Sequence, residues 1–246
     1  MLPPLLSKRH CLFLDLDGTL AQIAARPELA RVEGEMKHEV ARLHGALDGA
    51  LAIVSGRPIS QIDAMLVPLH LPAAGVHGAE RRAGGTTEAL PVPEGLGDIE
   101  RALQRFADRH EGVLLEKKAH ALCLHFRARP ELESIVHKAM EEAAAPHAGL
   151  TLMKGKMVME IKPQAATKGA AVHAFMALSP FAGRIPVFAG DDVTDEDGFK
   201  AAQELGGAGL KIGSGKTAAA WRLDDIAALR RWLAQSADGL EKAEAR

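Results

Sequence analysis

The sequence has no tyrosine, two tryptophans and seven phenylalanines in 246 residues. It therefore offers no aromatic platform on which bases or sugar rings could stack. Cysteine is nearly absent as well. Cys11 and Cys123 each sit in a strand-like apolar run, make neither a metal spacing nor a disulfide framework, and are expected to be buried free thiols. An excess of one charge is missing: 30 basic residues face 32 acidic ones, for a formal net charge of −2. That balance gives no electrostatic case for nucleic acid or an anionic membrane surface. No apolar run approaches the roughly 18 residues of a membrane span, and the opening M-L-P-P-L-L-S-K-R-H lacks a signal-peptide core. The expectation is a cytoplasmic protein with no nucleic-acid, membrane or obligate protein partner. At 47% hydrophobic and 25% charged residues, the chain can fill one large core or two modest ones.

What is present is acid placed at the ends of apolar strands. In C-L-F-L-D-L-D-G-T-L, Cys11 to Leu20, a buried run delivers Asp15 and Asp17 at i and i+2 before Gly18 turns the chain. On extended backbone two such carboxylates lie on the same side, about 6.6 Å apart along the strand. One can attack a reacting centre while the other moves a proton, provided a hard cation offsets the charge. A plain Asp-Gly turn would look similar in isolation. The second cluster, Gly190 to Asp197, holds five acids in seven residues after the apolar run Ile185 to Ala189. Such acids repel one another unless something cationic sits among them.

Between these clusters the pattern alternates. Glu33 to Leu47 reads as an amphipathic helix through Met36, Val40, Leu43 and Leu47. Its His38-Glu39 is no zinc motif, because the second histidine required four residues after the first is Arg42. The strand Leu51 to Val54 ends in Ser55-Gly56-Arg57-Pro58, where a hydroxyl and turn N–H groups could seat an anion. A third strand is expected near Pro72 to Val76. Strand, helix and strand with short turns argue for a parallel, doubly wound sheet. From about residue 80 to 162 the texture changes: strands at Val113–Lys117, His120–Arg127, Leu150–Lys154 and Met157–Ile161, with helices at 98–110 and 131–144, suggest an antiparallel α+β insert. Its polar strand face would carry Cys123, His125, Arg127 and Glu160. Thr167-Lys168-Gly169 then starts a helix, and Leu210 to Ile212 is the last strand expected. Gly213 to Thr217 mimics a P-loop ending, but a Walker motif needs glycine where Leu210 stands. It reads as a loop before a helix carrying Trp221, followed by a closing helix from Asp225 to Leu233 and a frayed tail to Arg246.

Taken in order, Asp15/Asp17, Ser55, Lys168 and Asp191/Asp192 with Asp195 resemble the four motifs of the haloacid-dehalogenase-like phosphatases. The strings Ser55-Gly56-Arg57, Gly75 to Glu80, Leu115 to Lys118, Leu124 to Arg127 and Gly155 to Pro163 are similar to those of the trehalose-6-phosphate phosphatase family. The resemblance implies an α/β fold: a doubly wound, Rossmann-like parallel-sheet core from residues 1–79 and 163–246, with an inserted α+β cap at 80–162. It implies an Mg²⁺-dependent phosphoric monoester hydrolase acting on trehalose 6-phosphate, a small-molecule sugar phosphate, in the last step of trehalose synthesis. Asp15 would be the nucleophile and Asp17 the acid and base. Asp15, the Asp17 carbonyl and Asp191 would hold the metal, with Asp192 and Asp195 supporting. Ser55, Gly56 and Lys168 would bind phosphate. Arg57, His77, Gly78, Glu116, Lys118, His125 and Glu160 would bind substrate. The cap would close over the site, with hinges near Gly78 to Glu80 and at Lys162-Pro163. The family often has tyrosine where this chain has Phe126, so no polar role follows there. Another capped sugar phosphatase or mutase, or a catalytically silent phosphosugar-binding module, is the alternative.

Overall fold

The computed structural model describes residues 3–24 and 26–244. In chain order it begins with β1 (His10–Leu14), α1 (Gly34–Ala46), β2 (Leu51–Val54), α2 (Ile59–Leu66), β3 (Ala73–Gly75), β4 (Glu80–Ala83) and β5 (Thr86–Ala89). It continues with α3 (Leu96–Arg109), β6 (Leu114–Lys117), β7 (Leu122–His125), α4 (Glu133–Ala144), β8 (Leu150–Gly155) and β9 (Val158–Pro163). It closes with α5 (Lys168–Met176), β10 (Ile185–Gly190), α6 (Glu196–Glu204), β11 (Ala208–Ile212), β12 (Trp221–Leu223) and α7 (Ile226–Glu244). Two compact units result: Met1–Glu88 with Thr167–Arg246, and Ala89–Ala166.

The first unit is built on a sheet of order β12-β11-β10-β1-β2-β3-β4-β5. Neighbours from β12 to β3 are parallel, and β4 turns antiparallel to β3. Strand order grows outward on both sides of β1, which is the doubly wound arrangement, and ligands of such sheets sit outside the carboxyl ends at that switch. β1 takes the middle because Cys11 to Leu14 are wholly buried, as a strand covered on both faces must be. Phe13 anchors it against Phe181 and Phe175, at ring-centroid distances of 5.4 and 5.8 Å. α1 buries Met36, Val40 and Leu43 as its spacing predicts, and packs with α7.

Several boundaries differ from the sequence reading. The closing helix runs through Glu244 instead of ending in a frayed tail at Leu233; residues 245–246 lie outside the described residues. Leu229, Trp232, Leu233, Ser236, Ala237 and Leu240 are buried at three- and four-residue spacing, and the Trp232 indole N–H donates to the Pro4 carbonyl at 3.1 Å. Trp221 begins a short edge strand, not a helix, because Trp221 and Leu223 pair with Leu210 and Ile212 of β11. Three residues are too few to show a period. Residues 80–88, expected in the insert, join the first unit. Gly84 and Gly85, at φ 55° and 82°, turn the chain from β4 to β5, the backbone a two-residue hairpin demands. The units divide at residues 88–89 and 166–167, whereas Gly78 to Glu80 forms the turn into β4 and Lys162-Pro163 ends β9.

The second unit has an antiparallel sheet of order β6-β7-β9-β8, with α3 and α4 packed on it. Leu122, Leu124, Phe126, Met159 and Ile161 face Ile99, Leu103, Phe106, Val136 and Met140 of the helices in one core. Burying each of these side chains contributes about 1.5–3 kcal/mol. The β8–β9 turn is Lys156-Met157 rather than Gly155-Lys156, since Gly155 pairs with Val158 and Met157 takes φ 62°. Both cysteines are free and buried, and burial pushes the Cys11 thiol up to about 12. No helix among the described residues is long and apolar enough to cross a membrane.

Candidate active site

The carboxyl edge of the first unit's sheet collects the charged residues. β1 ends at Leu14, one residue before Asp15, whose N–H donates to the Ala189 carbonyl at 2.9 Å. That bond ties Asp15 to the end of β10, one residue short of Gly190-Asp191. The Lys168 ammonium, at the first position of α5, donates to Asp15 Oδ1 and Asp195 Oδ1, both at 2.6 Å. All three side chains are at least 95% buried. Asp15, Asp191 and Asp195 each bring a carboxylate oxygen within 4.8 Å of the others, the one such grouping among the described residues. Burial, reinforced by Asp195, raises the Asp15 carboxyl well above the usual carboxylate range against the pull of Lys168. Burial, then Asp195 and Asp192, push Asp191 up to about 6, with Lys168 and Lys211 acting the other way. Burial also works against the Lys168 charge, but Asp15 and Asp195 outweigh it and hold that ammonium protonated. One ammonium thus bonds two of the three crowded carboxylates. The donors are all hard oxygens, and that set fits a small divalent cation such as Mg²⁺.

Two glycines allow this crowding. Gly18 takes φ 87°, and a Cβ there would lie 2.1 Å from Asp191 Oδ2. A Cβ on Gly190 would lie 2.3 Å from Asp195 Cγ. Asp192 does not face Lys168: it is exposed, and its Oδ1 accepts from Val193 N at 2.8 Å. Asp195 Oδ2 in turn accepts from Asp192 N at 2.9 Å, a reciprocal cap on the turn into α6. Of the two supporting acids, Asp195 accepts from Lys168 and Asp192 caps the loop.

Asp17 and Asp15 take different partners. Arg57 grips Asp17 at both oxygens, Nε to Oδ2 at 2.6 Å and Nη2 to Oδ1 at 2.7 Å, the paired geometry that guanidinium and carboxylate favour. Arg57 follows the Ser55-Gly56 turn at the end of β2. Ser55 is buried, and its Oγ accepts from Arg57 N at 3.1 Å. His77 braces that turn: its N–H donates to the Ser55 carbonyl at 2.9 Å, and its ring lies where a Cβ on Gly56 would stand. Val76 and His77 hold positive φ, 47° and 57°, strain of about 1–3 kcal/mol each that packing must over-determine. Gly78, at φ 106°, has its Cα side against the Thr167 carbonyl just ahead of Lys168. The structure thus brings Ser55, Gly56, Arg57, His77 and Gly78 together as one braced turn.

Three residues escaped the sequence reading. Glu80 Oε1 accepts from Ile59 N at 2.5 Å and caps α2, whose first turn follows Pro58. Thr19 is fully buried, with its hydroxyl 3.4 Å from Asp191 Oδ1. Lys211 is 5% exposed on β11 and donates to the Asp191 carbonyl. The one sequence signal for Lys211 was a lysine inside the apolar strand Ala208–Ile212.

In the second unit a separate polar set lies on the sheet face opposite the helices. Glu116, Cys123 and Glu160 stand in register across β6, β7 and β9. Lys118 Nζ donates to Glu160 Oε1 at 3.1 Å, and His125 Nε2 lies 2.7 Å from Glu116 Oε2. The hydrogen bond with His125 holds the Glu116 carboxyl below its usual range despite burial. All four residues expected to bind substrate here therefore lie on one sheet face.

A model of the trehalose-phosphatase family matches residues 13–227. A trehalose-6-phosphate phosphatase of Escherichia coli (strain K12) is 40% identical over 241 residues, 97% of this chain and 91% of that one. A probable trehalose-phosphate phosphatase of Sinorhizobium fredii is 39% identical over 207 residues, 82% of this chain and 77% of the relative. A crystal structure described as a trehalose-6-phosphate phosphatase related protein superposes with a TM-score of 0.75 at 25% identity, covering 94% of this chain and 99% of its own.

Proposed function

Since the chain belongs to the trehalose-phosphatase family, we propose that it hydrolyses trehalose 6-phosphate to trehalose and inorganic phosphate. The observation that carries the reading is the buried Asp15–Lys168–Asp195 triad with Asp191 beside it. A structural scaffold has no use for two buried carboxylates on one ammonium with a third, half-buried carboxylate crowded beside them, whereas phosphoryl transfer to a carboxylate needs this set.

The proposed reaction has two steps. An Asp15 oxygen attacks phosphorus, the bond from phosphorus to the sugar oxygen breaks, and Asp17 gives its proton to the departing oxygen. Asp17 then takes a proton from water, which attacks the aspartyl phosphate and releases phosphate with Asp15 restored. Lys168 fixes the Asp15 carboxylate and offsets charge between nucleophile and phosphoryl oxygens. The Ser55 turn supplies hydroxyl and N–H groups to the phosphate. The Asp15 and Asp191 carboxylates and the Asp17 carbonyl would hold Mg²⁺, which when bound supplies positive charge that lets one anion approach another. Glu116, Lys118, His125 and Glu160 are assigned to the sugar hydroxyls, and residues 89–166 to substrate selection as the cap. Two free buried thiols suit a cytoplasmic location.

The test is phosphate release from trehalose 6-phosphate, sucrose 6-phosphate, glucose 6-phosphate and mannose phosphates, with Mg²⁺ and with chelator. Chelator-sensitive release confined to the trehalose ester is the expected result. Release from a different ester keeps the Asp15 chemistry and discards the sugar assignments. No release from any ester leaves a phosphosugar-binding module.

A further inference from the structure

We propose that Lys211 is a positioning residue for the acidic loop at the end of β10, holding the Asp191 main chain where its carboxylate and that of Asp15 would hold the cation. The inference rests on the Mg²⁺ reading above and extends it to a residue outside the four motifs.

A lysine within a buried parallel strand is costly unless its head group is satisfied. Lys211 stands between buried Leu210 and Ile212 and is itself 5% exposed. Its backbone pairs with Gly190, the residue just before Asp191. The ammonium donates to the Asp191 carbonyl, where β10 has ended. The labour at the site is thus divided: Lys168 takes the carboxylates of Asp15 and Asp195, and Lys211 takes the main chain of Asp191. Gly190 and Gly18 must both be small where Asp191 and Asp195 crowd against them, so neither supplies a side chain to hold the Asp191 main chain. The neighbouring strand supplies the hold.

The experiment is calorimetric titration of chelator-stripped protein with Mg²⁺, paired with kinetics at saturating Mg²⁺. Lys211→Met keeps the stem and removes the donor. Its Mg²⁺ affinity is expected to fall about tenfold or more, as loss of a partner behind a metal ligand does. At saturating Mg²⁺ its KM for the sugar phosphate stays at the wild-type value. Lys211→Arg keeps charge and donor and is expected to bind Mg²⁺ within about threefold of wild type. Unchanged or tighter Mg²⁺ binding by Lys211→Met overturns the proposal. So does a raised KM at saturating Mg²⁺, which would mark Lys211 as a substrate contact. Should Lys211→Met not fold, the titration of Lys211→Arg decides, and a tenfold loss in that folded variant counts against the assignment. Wild-type protein that takes up no Mg²⁺ refutes the cation reading itself, a result distinct from wild-type binding with an indifferent Lys211.

Discussion

The two units handle charge in opposite ways. In the first, buried Asp15 and Asp195 share the Lys168 ammonium with half-buried Asp191 crowded against them. In the second, an opposite-charge pair, Lys118 with Glu160, lies beside the hydrogen-bonded pair His125 and Glu116. The first arrangement leaves surplus negative charge that folding alone would not keep, so it is poised to take a cation and a reacting group. The second sets donors against acceptors, which hydroxyls of both characters could replace. Under the proposed function, the crowded like charges are assigned to the chemistry and the opposed charges to the sugar.

The largest break in that contrast should come from the first unit. Asp15→Asn should lower turnover by at least a thousandfold on every phosphate ester, as removal of a nucleophile does, with Mg²⁺-dependent melting used to confirm the fold. Asp17→Asn should cost about 10²–10⁴-fold on sugar esters. On an aryl phosphate, whose leaving group needs no proton, the loss should be much smaller. A turnover within a few-fold of wild type on the sugar ester would remove Asp17 from its role. In the second unit the double variant Lys118→Met with Glu160→Gln leaves no buried orphan charge. It should reduce kcat/KM for trehalose 6-phosphate about 10–100-fold, the worth of one or two charge-assisted hydrogen bonds. Aryl phosphate hydrolysis should be unaffected, and parallel losses on both substrates would erase the division between units.

The smallest effect is on stability. Asp191 is raised from 3.8 to about 6, chiefly by burial and then by Asp195. The folded metal-free chain therefore binds more protons than the unfolded one between those values. This contribution to stability is fully present below about pH 4 and is lost as pH rises through about 6. Metal-free Asp191→Asn should lack that loss, melting a few degrees above wild type at pH 7.5 and not at pH 4. Calorimetry at the two pH values checks it, and Mg²⁺ should close the gap by stabilising wild type alone.

The parallel core was legible because its strands are continuous apolar runs whose ends carry acid, hydroxyl or glycine, and Asp15, Ser55, Lys168 and Asp191 each fell where such a run stops. The edges were less legible. β4, β5 and β12 are three or four residues long, so pairing across the sheet defines them and period does not. The tail of α7 looked frayed because its buried positions matter only once α1 lies beside it. Within the site, Arg57 on Asp17, Asp192 as a loop cap and Lys211 on the Asp191 carbonyl join residues 40, 3 and 20 positions apart.

The sequence by itself determined which chemistry the chain can hold, because a carboxylate at the end of an apolar strand keeps its reach and its identity whatever surrounds it. Only the tertiary structure decided which acid meets which base. Partner choice among five aspartates and three cations depends on distances of a few ångströms, and those arise when β1, β2, β10 and β11 are laid side by side.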